Sequence, residues 1–536
     1  MKLKKITALL LVSAMTVASM AGCSSKGANT TTSSEAKEIG AMSDPTHLNV
    51  VMTFNVSMAT VTESYSACWA PMRHGVSEAL TKVANDGKIV PWLAKDWSSS
   101  ENYTKWVIGI RDDVYFSNGT QMTPTKVAAS LNYVYDFNDP AKGGPDALTN
   151  FMVRPKEIVA DDNAGTVTLT FEKPIANVPG ALSNPAFAIM DWEASKDIDF
   201  ANKGEIGTGP YVYDKCIEGH SIELVKNEYY YDDVPFETVT ILGMEDSSTA
   251  SYALQDGSAD VGFNLSAADL TLLKEKGFAS QVASGARTGF YFINHNGILG
   301  NDDLRKAAIM AVDWATIDKV TVGGSYIYGY APISESYVEY GGDVNNPLAY
   351  NPEAAKELLD KAGIKDTDGD GIRELDGKNI ELRLVTNKAR QMDVMADAAV
   401  PMLKEVGIGA THSLTDDQIK VGESGDYDLI NWNQITVQCG DGVNFLRQFV
   451  SDSTSNYGNY NNTEYDSIFA KLSEEFDNDK RNDLVSQLQK ILIDDGAAMI
   501  AGYYQFNACS APYIEGAAAN GAADYYWLTN AIRPAQ

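Results

Sequence analysis

Apolar positions recur three and four residues apart in several stretches, and between these lie short runs apolar at every second position or throughout. The first pattern gathers side chains on one face of a helix, the second on a face of a strand. TPTKVAASLNYVYDFND (123–139) puts Val127, Leu131 and Val134 in one stripe, with Thr123 to cap the helix and Pro124 in its first turn. NPEAAKELLDKAG (351–363) starts the same way, Asn351 then Pro352, and stops at Gly363. The spacing also predicts helices over 302–317, 464–476 and 479–493, and over 392–407 with Pro401 kinking the helix or starting a new turn. Strands are predicted over 106–110, 166–171, 222–225, 238–242, 289–294, 380–385 and 428–432. Helices and strands alternate throughout, which predicts a mixed α/β or α+β protein of several lobes, in keeping with 536 residues.

The first residues obey a different pattern. Lys2, Lys4 and Lys5 precede an apolar run, Ile6 to Ala18, that is too short to span a bilayer and reads as a removable secretory signal. Ala21-Gly22-Cys23 resembles the lipobox of bacterial lipoproteins. That resemblance implies cleavage after residue 22, a diacylated Cys23 and, from the Ser/Thr/Asn-rich composition that follows, a flexible tether over 23–43. Removing residues 1–22, which hold three lysines and no acid, leaves 39 basic against 72 acidic groups, a balance of −33. Such a charge disfavours nucleic acid and anionic lipid head groups, so membrane contact is expected through the lipid alone. Cys68, Cys216, Cys439 and Cys509 are too widely spaced for zinc and are expected as buried free thiols. Among His47, His74, His220, His295 and His412 no pair stands four residues apart, which argues against a dedicated metal site; only His295 is placed to enter a cleft.

Seven stretches in order carry a family likeness. IVPWLAKDW (89–97) and WVIGIRDDVYFSNGTQMTPTKVAASLNYV (106–134) come first. IGTGPYVY (206–213), IELVKNEYYYDDVPFETVTI (222–241) and ALQDGSADV (253–261) form a second group, followed by NDDLRKAAIMAVDWATI (301–317) and YNPEAAKELLDKAG (350–363). Together they resemble family 5 solute-binding proteins of ABC importers, over nearly the whole chain from Asp44 onward. The resemblance implies a bilobed type II periplasmic-binding-protein clamp with an extra inserted subdomain (cluster C). Its expected parts are lobe I (44–75), the inserted subdomain (76–204), lobe I again (205–288), lobe II (289–503) and a return to lobe I (504–536). Two crossing strands are expected near 288–293 and 503–507. The implied function is capture of a solute, a peptide first and an oligosaccharide or metal chelate next, for an ABC permease and its ATPase. The implied setting is a lipid-anchored, monomeric receptor outside the cytoplasm.

In the family's peptide binders, a Trp-bearing strand is followed by an aspartate that pairs with the peptide's free amine. Trp432 matches that tryptophan, but the anchor position falls on Ile435 counted forward and on Gln438 counted back from Phe445, and neither is acidic. Two readings follow. Either Asp441 replaces the lost acid, or Asn431, Asn433 and Gln438 hold a neutral polar ligand or a capped peptide. Asn55, Arg287, Tyr291, Tyr503 and Tyr504 complete the cleft candidates, Arg287 as a bidentate carboxylate holder.

KDTDGDGIRELDG (365–377) sets oxygen ligands at alternate positions, Asp366, Asp368, Asp370, Ile372 and Glu374, as a calcium loop does, although its twelfth position is Gly377. Structural calcium is therefore expected as the one metal, with no cofactor required. A surface hydrolase is the contrasting class, as is a sensory receptor using the same clamp. The chain carries no G-x-S-x-G elbow, H-E-x-x-H pair or P-loop, so no catalysis is expected.

Overall fold

The computed structural model describes residues 42–53, 56, 68–142, 144, 152–198, 203–334, 337 and 344–536. Cys23 and Asn55 lie outside the described residues. The described residues fall within one compact unit, Ile39–Gln536.

A single large mixed sheet forms its frame. From one edge the strands run Gly409–Leu414, Glu381–Thr386, Leu429–Ile435, Ala279–Ile293, Ala498–Ser510, Val261–Phe263, His47–Met52, Thr238–Gly243, Ser221–Lys226 and Tyr211–Ile217. The two long strands, Ala279–Ile293 and Ala498–Ser510, lie antiparallel from Ala279↔Ser510 to Phe292↔Ala498. One end of this pair is flanked by Leu429–Ile435, the other by Val261–Phe263, so both halves of the sheet hang on the same two strands. The register shifts between Ser284 and Arg287 and again between Gly289 and Phe290, which bends the pair at its middle. There Thr288 faces Tyr503 and Arg287 faces Tyr504, the two stretches in which the sequence predicts crossings.

A second, four-stranded antiparallel sheet, Ala94–Ser99, Lys105–Ile110, Thr166–Thr170 and Glu157–Asp161, carries the helix Pro124–Phe137. Val127, Leu131 and Val134 of that helix bury against Ile108 and Leu169, in a core separate from those of the large sheet. The caps form as the sequence predicts: Thr123 Oγ1 accepts from the Lys126 amide, and Asn351 Oδ1 accepts from the Ala354 amide.

Two helices depart from expectation. The predicted helix 302–317 stops at Met310, and Asp313 caps a new turn from Trp314 that passes into a π-helical turn, Ile317–Thr321. Pro401 does not break its helix, which runs continuously over Met392–Glu405. A proline removes only its own amide bond, and Met392, Met395, Ala396, Ala399 and Leu403 bury along the apolar face on either side of it.

Candidate functional site

Beside the bend in the long strands lies a cavity of about 560 Å3. Among the described residues its charged lining consists of Arg73, Arg287, Arg390, Arg447 and Asp524, four cations and one anion in a chain whose formal charge is −30. Asp524 is 1 % exposed and gathers three of the arginines. Its Oδ2 lies 2.7 Å from Arg73 Nη2, 3.1 Å from Arg287 Nη2 and 3.7 Å from Arg390 Nη2.

Each arginine comes from a different element. Arg73 ends the short helix Trp69–Arg73, and its guanidinium lies between the rings of Trp69 and Trp527, at 4.0 and 4.3 Å from their centroids. Its Nε also donates to the Asp524 carbonyl at 2.7 Å. Arg287 stands at the bend and donates from Nη1 to the Asn433 carbonyl at 2.7 Å. Arg390 sits on a turn where it and Gln391 both take positive φ, 56° and 60°, and Tyr504 backs its guanidinium with its ring centroid 5.7 Å away. Side chains other than glycine hold that backbone region at a cost of about 1–3 kcal/mol each, so the turn is strained where it delivers a charge.

The electrostatics follow from the geometry. Burial alone raises the Asp524 carboxyl, but Arg73, Arg287 and Arg390 overcome it and bring it down to about 2. Burial pushes the Arg390 guanidinium down to about 10, with Arg287 adding repulsion. Cations crowd one another here around a single carboxylate, and several buried polar atoms lack partners: Arg287 Nε, Asn433 Oδ1 and Asp524 Oδ1. Such atoms are costly unless something binds them.

Of the residues singled out from the sequence, Arg287, Trp432, Asn433 and Gln438 line this cavity. Trp432 leans on Tyr457 with centroids 5.1 Å apart, Asn433 Nδ2 donates to the Tyr326 hydroxyl at 2.8 Å, and Gln438 Nε2 to the Tyr525 hydroxyl at 3.1 Å. Asp441 stands outside the cavity lining: Oδ2 meets Arg481 Nη2 at 2.5 Å and Oδ1 accepts from the Val443 amide. Tyr291, Tyr503 and Tyr504 are core residues, and Tyr503 and Tyr291 direct their hydroxyls to the Ala331 and Met392 carbonyls. Asn431 is 1 % exposed and accepts from the Asn387 amide. His295 packs against Tyr460 and points Nε2 at the Ala497 carbonyl, away from the cavity. Cys439 and Cys509 are buried free thiols, Cys68 is buried, and Cys216 is only half-buried, short of the burial expected from the sequence.

Sequence reasoning missed Arg73, Arg390 and Asp524. Only Arg390 left a local trace, in KARQ (388–391) just ahead of a helix.

In the acidic loop, Asp366, Asp368 and Glu374 offer oxygens within 4.8 Å of one another. Of the other expected ligands, Asp370 Oδ2 accepts from Asn379 Nδ2, and Ile372, which would serve through its carbonyl, has a buried side chain. Asp366 accepts from the Gly369 and Gly371 amides and Glu374 from Thr367.

The family model of the bacterial extracellular solute-binding proteins, family 5 (middle), matches residues 88–457. The dipeptide-binding protein DppE of Bacillus subtilis (strain 168) is 24% identical over 469 residues, covering 81% of this chain and 82% of the relative. Among solved structures, NikA from Brucella suis in complex with Fe(III)-EDTA superposes with a TM-score of 0.79 at 21% identity, over 92% of this chain and 100% of that one. The oligopeptide-binding protein AppA from Bacillus subtilis in complex with a nonapeptide gives 0.72 at 19%, over 91% and 99%. These likenesses establish the mixed α/β fold of type II periplasmic binding proteins. With most of its length matched, the chain belongs to the bacterial extracellular solute-binding proteins of family 5 and is a binding protein, not an enzyme.

Proposed function

We propose that this protein is the receptor of an ABC importer for a small anionic solute carrying two or more carboxylates. The observation that carries the reading is the excess of guanidinium over carboxylate among the described residues of the cavity, four against one. Guanidinium groups bind carboxylates through paired, charge-assisted hydrogen bonds, and a second or third carboxylate offsets the repulsion that Asp524 alone leaves. Among the described residues a free α-ammonium meets no unshared carboxylate: Asp524 is already shared by three arginines, and Asp441 is paired with Arg481. An acidic peptide read through its carboxylates fits this chemistry, as does a polycarboxylate chelate of a metal. The relatives span both classes, a dipeptide-binding protein and a structure holding Fe(III)-EDTA.

Calorimetry with acidic tripeptides, free and N-acetylated, with citrate and with nickel–EDTA tests the reading. Acidic ligands are expected to bind, acetylation to change affinity less than threefold, and Arg287→Gln to weaken binding at least tenfold. Tight binding of neutral peptides that depends on a free N-terminus overturns it.

Two further readings belong with this proposal. Cys23 carries a lipid anchor that holds the receptor near its permease, and Cys23→Ala releases the protein into the culture medium or periplasm. The 366–374 loop takes calcium as a structural ion, supported by its three neighbouring carboxylates; a melting temperature unchanged between chelator and millimolar calcium rejects this.

A further inference from the structure

A second cavity, of about 580 Å3, lies back to back with the first. The same two stretches of chain form the wall between them. Trp69, Arg73, Asp524 and Tyr525 face the first cavity, whereas Met72, Glu78, Tyr526 and Trp527 face the second. The charge character changes across that wall. Among the described residues the second cavity is lined by Lys82, Arg111, Asp232 and the buried Glu78, with Arg111 engaged by Asp113.

Its surfaces are aromatic. Trp92 and Tyr526 meet edge to face with centroids 5.4 Å apart, and Tyr230 and Tyr231 tilt together at 4.3 Å. All four rings are only partly buried. They are held in place: Tyr230 and Tyr231 donate to Glu78 Oε1 at 2.9 and 2.7 Å, Trp92 Nε1 donates to the Tyr231 hydroxyl at 3.2 Å, and the Arg111 guanidinium lies 4.1 Å over the Tyr231 ring. Arg111 is itself tied to Asp113 by two hydrogen bonds, at 2.8 and 2.7 Å. On the rim, the Lys82 ammonium sits 5.5 Å from the Trp92 ring, and neither it nor the Asn85 amide has an ion-pair or hydrogen-bond partner among the described residues.

We infer that this cavity is a second binding site, for a neutral saccharide of one or two rings. Fixed aromatic faces accept the C–H face of a pyranose without a charge requirement, and unengaged amide and ammonium groups at the rim supply hydrogen bonds to hydroxyls. With Arg111 engaged by Asp113, this lining lacks the cluster of arginines that suits an anion in the first cavity, and the volume lies within the ordinary range of small-molecule sites. Because Trp527 lines the second cavity and its ring backs Arg73, a guest there touches a group that positions the arginine cluster.

The test uses the full folded domain and four probes: glucose, maltose, cellobiose and N,N′-diacetylchitobiose. Saturation-transfer NMR and tryptophan fluorescence are expected to detect at least one of them. Asn85→Ala, a change at an exposed position, should weaken that probe about threefold, and Trp92→Leu at least tenfold, while Arg287→Gln leaves it unchanged. A probe lost in Arg287→Gln but kept in Trp92→Leu places the sugar in the first cavity and overturns the inference. Absence of a signal from all four probes overturns it as well. Calorimetry of the acidic ligands reads the first cavity separately, so failure of either reading is seen on its own.

Discussion

Arg73 and Asp524 hold each other twice: the guanidinium Nη2 meets the carboxylate at 2.7 Å, and Nε meets the backbone carbonyl of the same residue at 2.7 Å. This double contact fixes Asp524 as the hub on which Arg287 and Arg390 converge. Both partners are buried, so removing the hub's charge strands three guanidiniums in a water-poor site. Asp524→Asn is expected to cost about 3–5 kcal/mol, the usual result of orphaning a buried charge. Urea denaturation measures it. An anionic ligand should recover part of that loss, so its stabilising shift should be larger in the variant than in the parent protein.

Arg390 is in tension with its own backbone. It occupies a left-handed turn at φ 56°, which glycine adopts without steric cost, and burial depresses its guanidinium. Arg390→Gly is therefore expected to raise stability by about 1 kcal/mol through relief of strain, while weakening acidic ligands at least tenfold. Paired melting and calorimetry on the one variant check both halves. A variant that loses stability would mean that the pairing with Asp524 outweighs the strain.

Much of the scaffold is legible in the sequence because it rests on local rules. Thr123-Pro124 and Asn351-Pro352 announce helix starts, and each side chain makes the cap hydrogen bond that its type favours. Trp432 and Arg287, on neighbouring strands of the large sheet, both line the cavity and are legible as cleft candidates. The hub is not. Arg73, Arg390 and Asp524 stand on three unrelated elements, and only the folded chain brings them together. Asp441 shows the converse: its place in the sequence beside the expected anchor says nothing of Arg481, whose helix supplies it with a partner.

Tyr103, in the turn before strand Lys105–Ile110, stacks on Phe476, which precedes the helix Asn478–Asp495, with centroids 4.7 Å apart and planes 12° from parallel. Tyr103 packs on one core, with Val127 and Leu131, and the helix after Phe476 packs on another through Val485 and Leu488, so the stack joins the bodies around those two cores. Aromatic pairs contribute about 0.5–1.5 kcal/mol beyond their buried area, or roughly threefold to tenfold in a rate. Tyr103→Ala should raise the ligand dissociation rate by that factor and leave the association rate little changed, as stopped-flow fluorescence would show. An unchanged dissociation rate would mean that the bodies do not separate at this contact.

Glu78 makes stability depend on pH in a direction opposite to that of an ordinary paired carboxylate. Burial raises its carboxyl to about 7, even though hydrogen bonds from Tyr231 and Tyr230 favour the ionised form. The folded protein thus keeps a proton that the unfolded chain releases near 4.5, so stability falls as pH rises from about 4.5 to about 7 and stays lowered above that. Asp318, 3 % exposed and raised to about 8 by burial, acts in the same direction over 3.8 to about 8. Urea midpoints are therefore expected to be higher at pH 5 than at pH 8. Glu78→Gln should remove on the order of 2 kcal/mol of that difference, since one pKa unit corresponds to about 1.4 kcal/mol. Asp318→Asn should remove a separate share, and because the two sites lie on different bodies their effects should add. A midpoint that rises with pH in the parent protein, or a slope indifferent to both substitutions, would show that neither carboxyl holds its proton in the folded state.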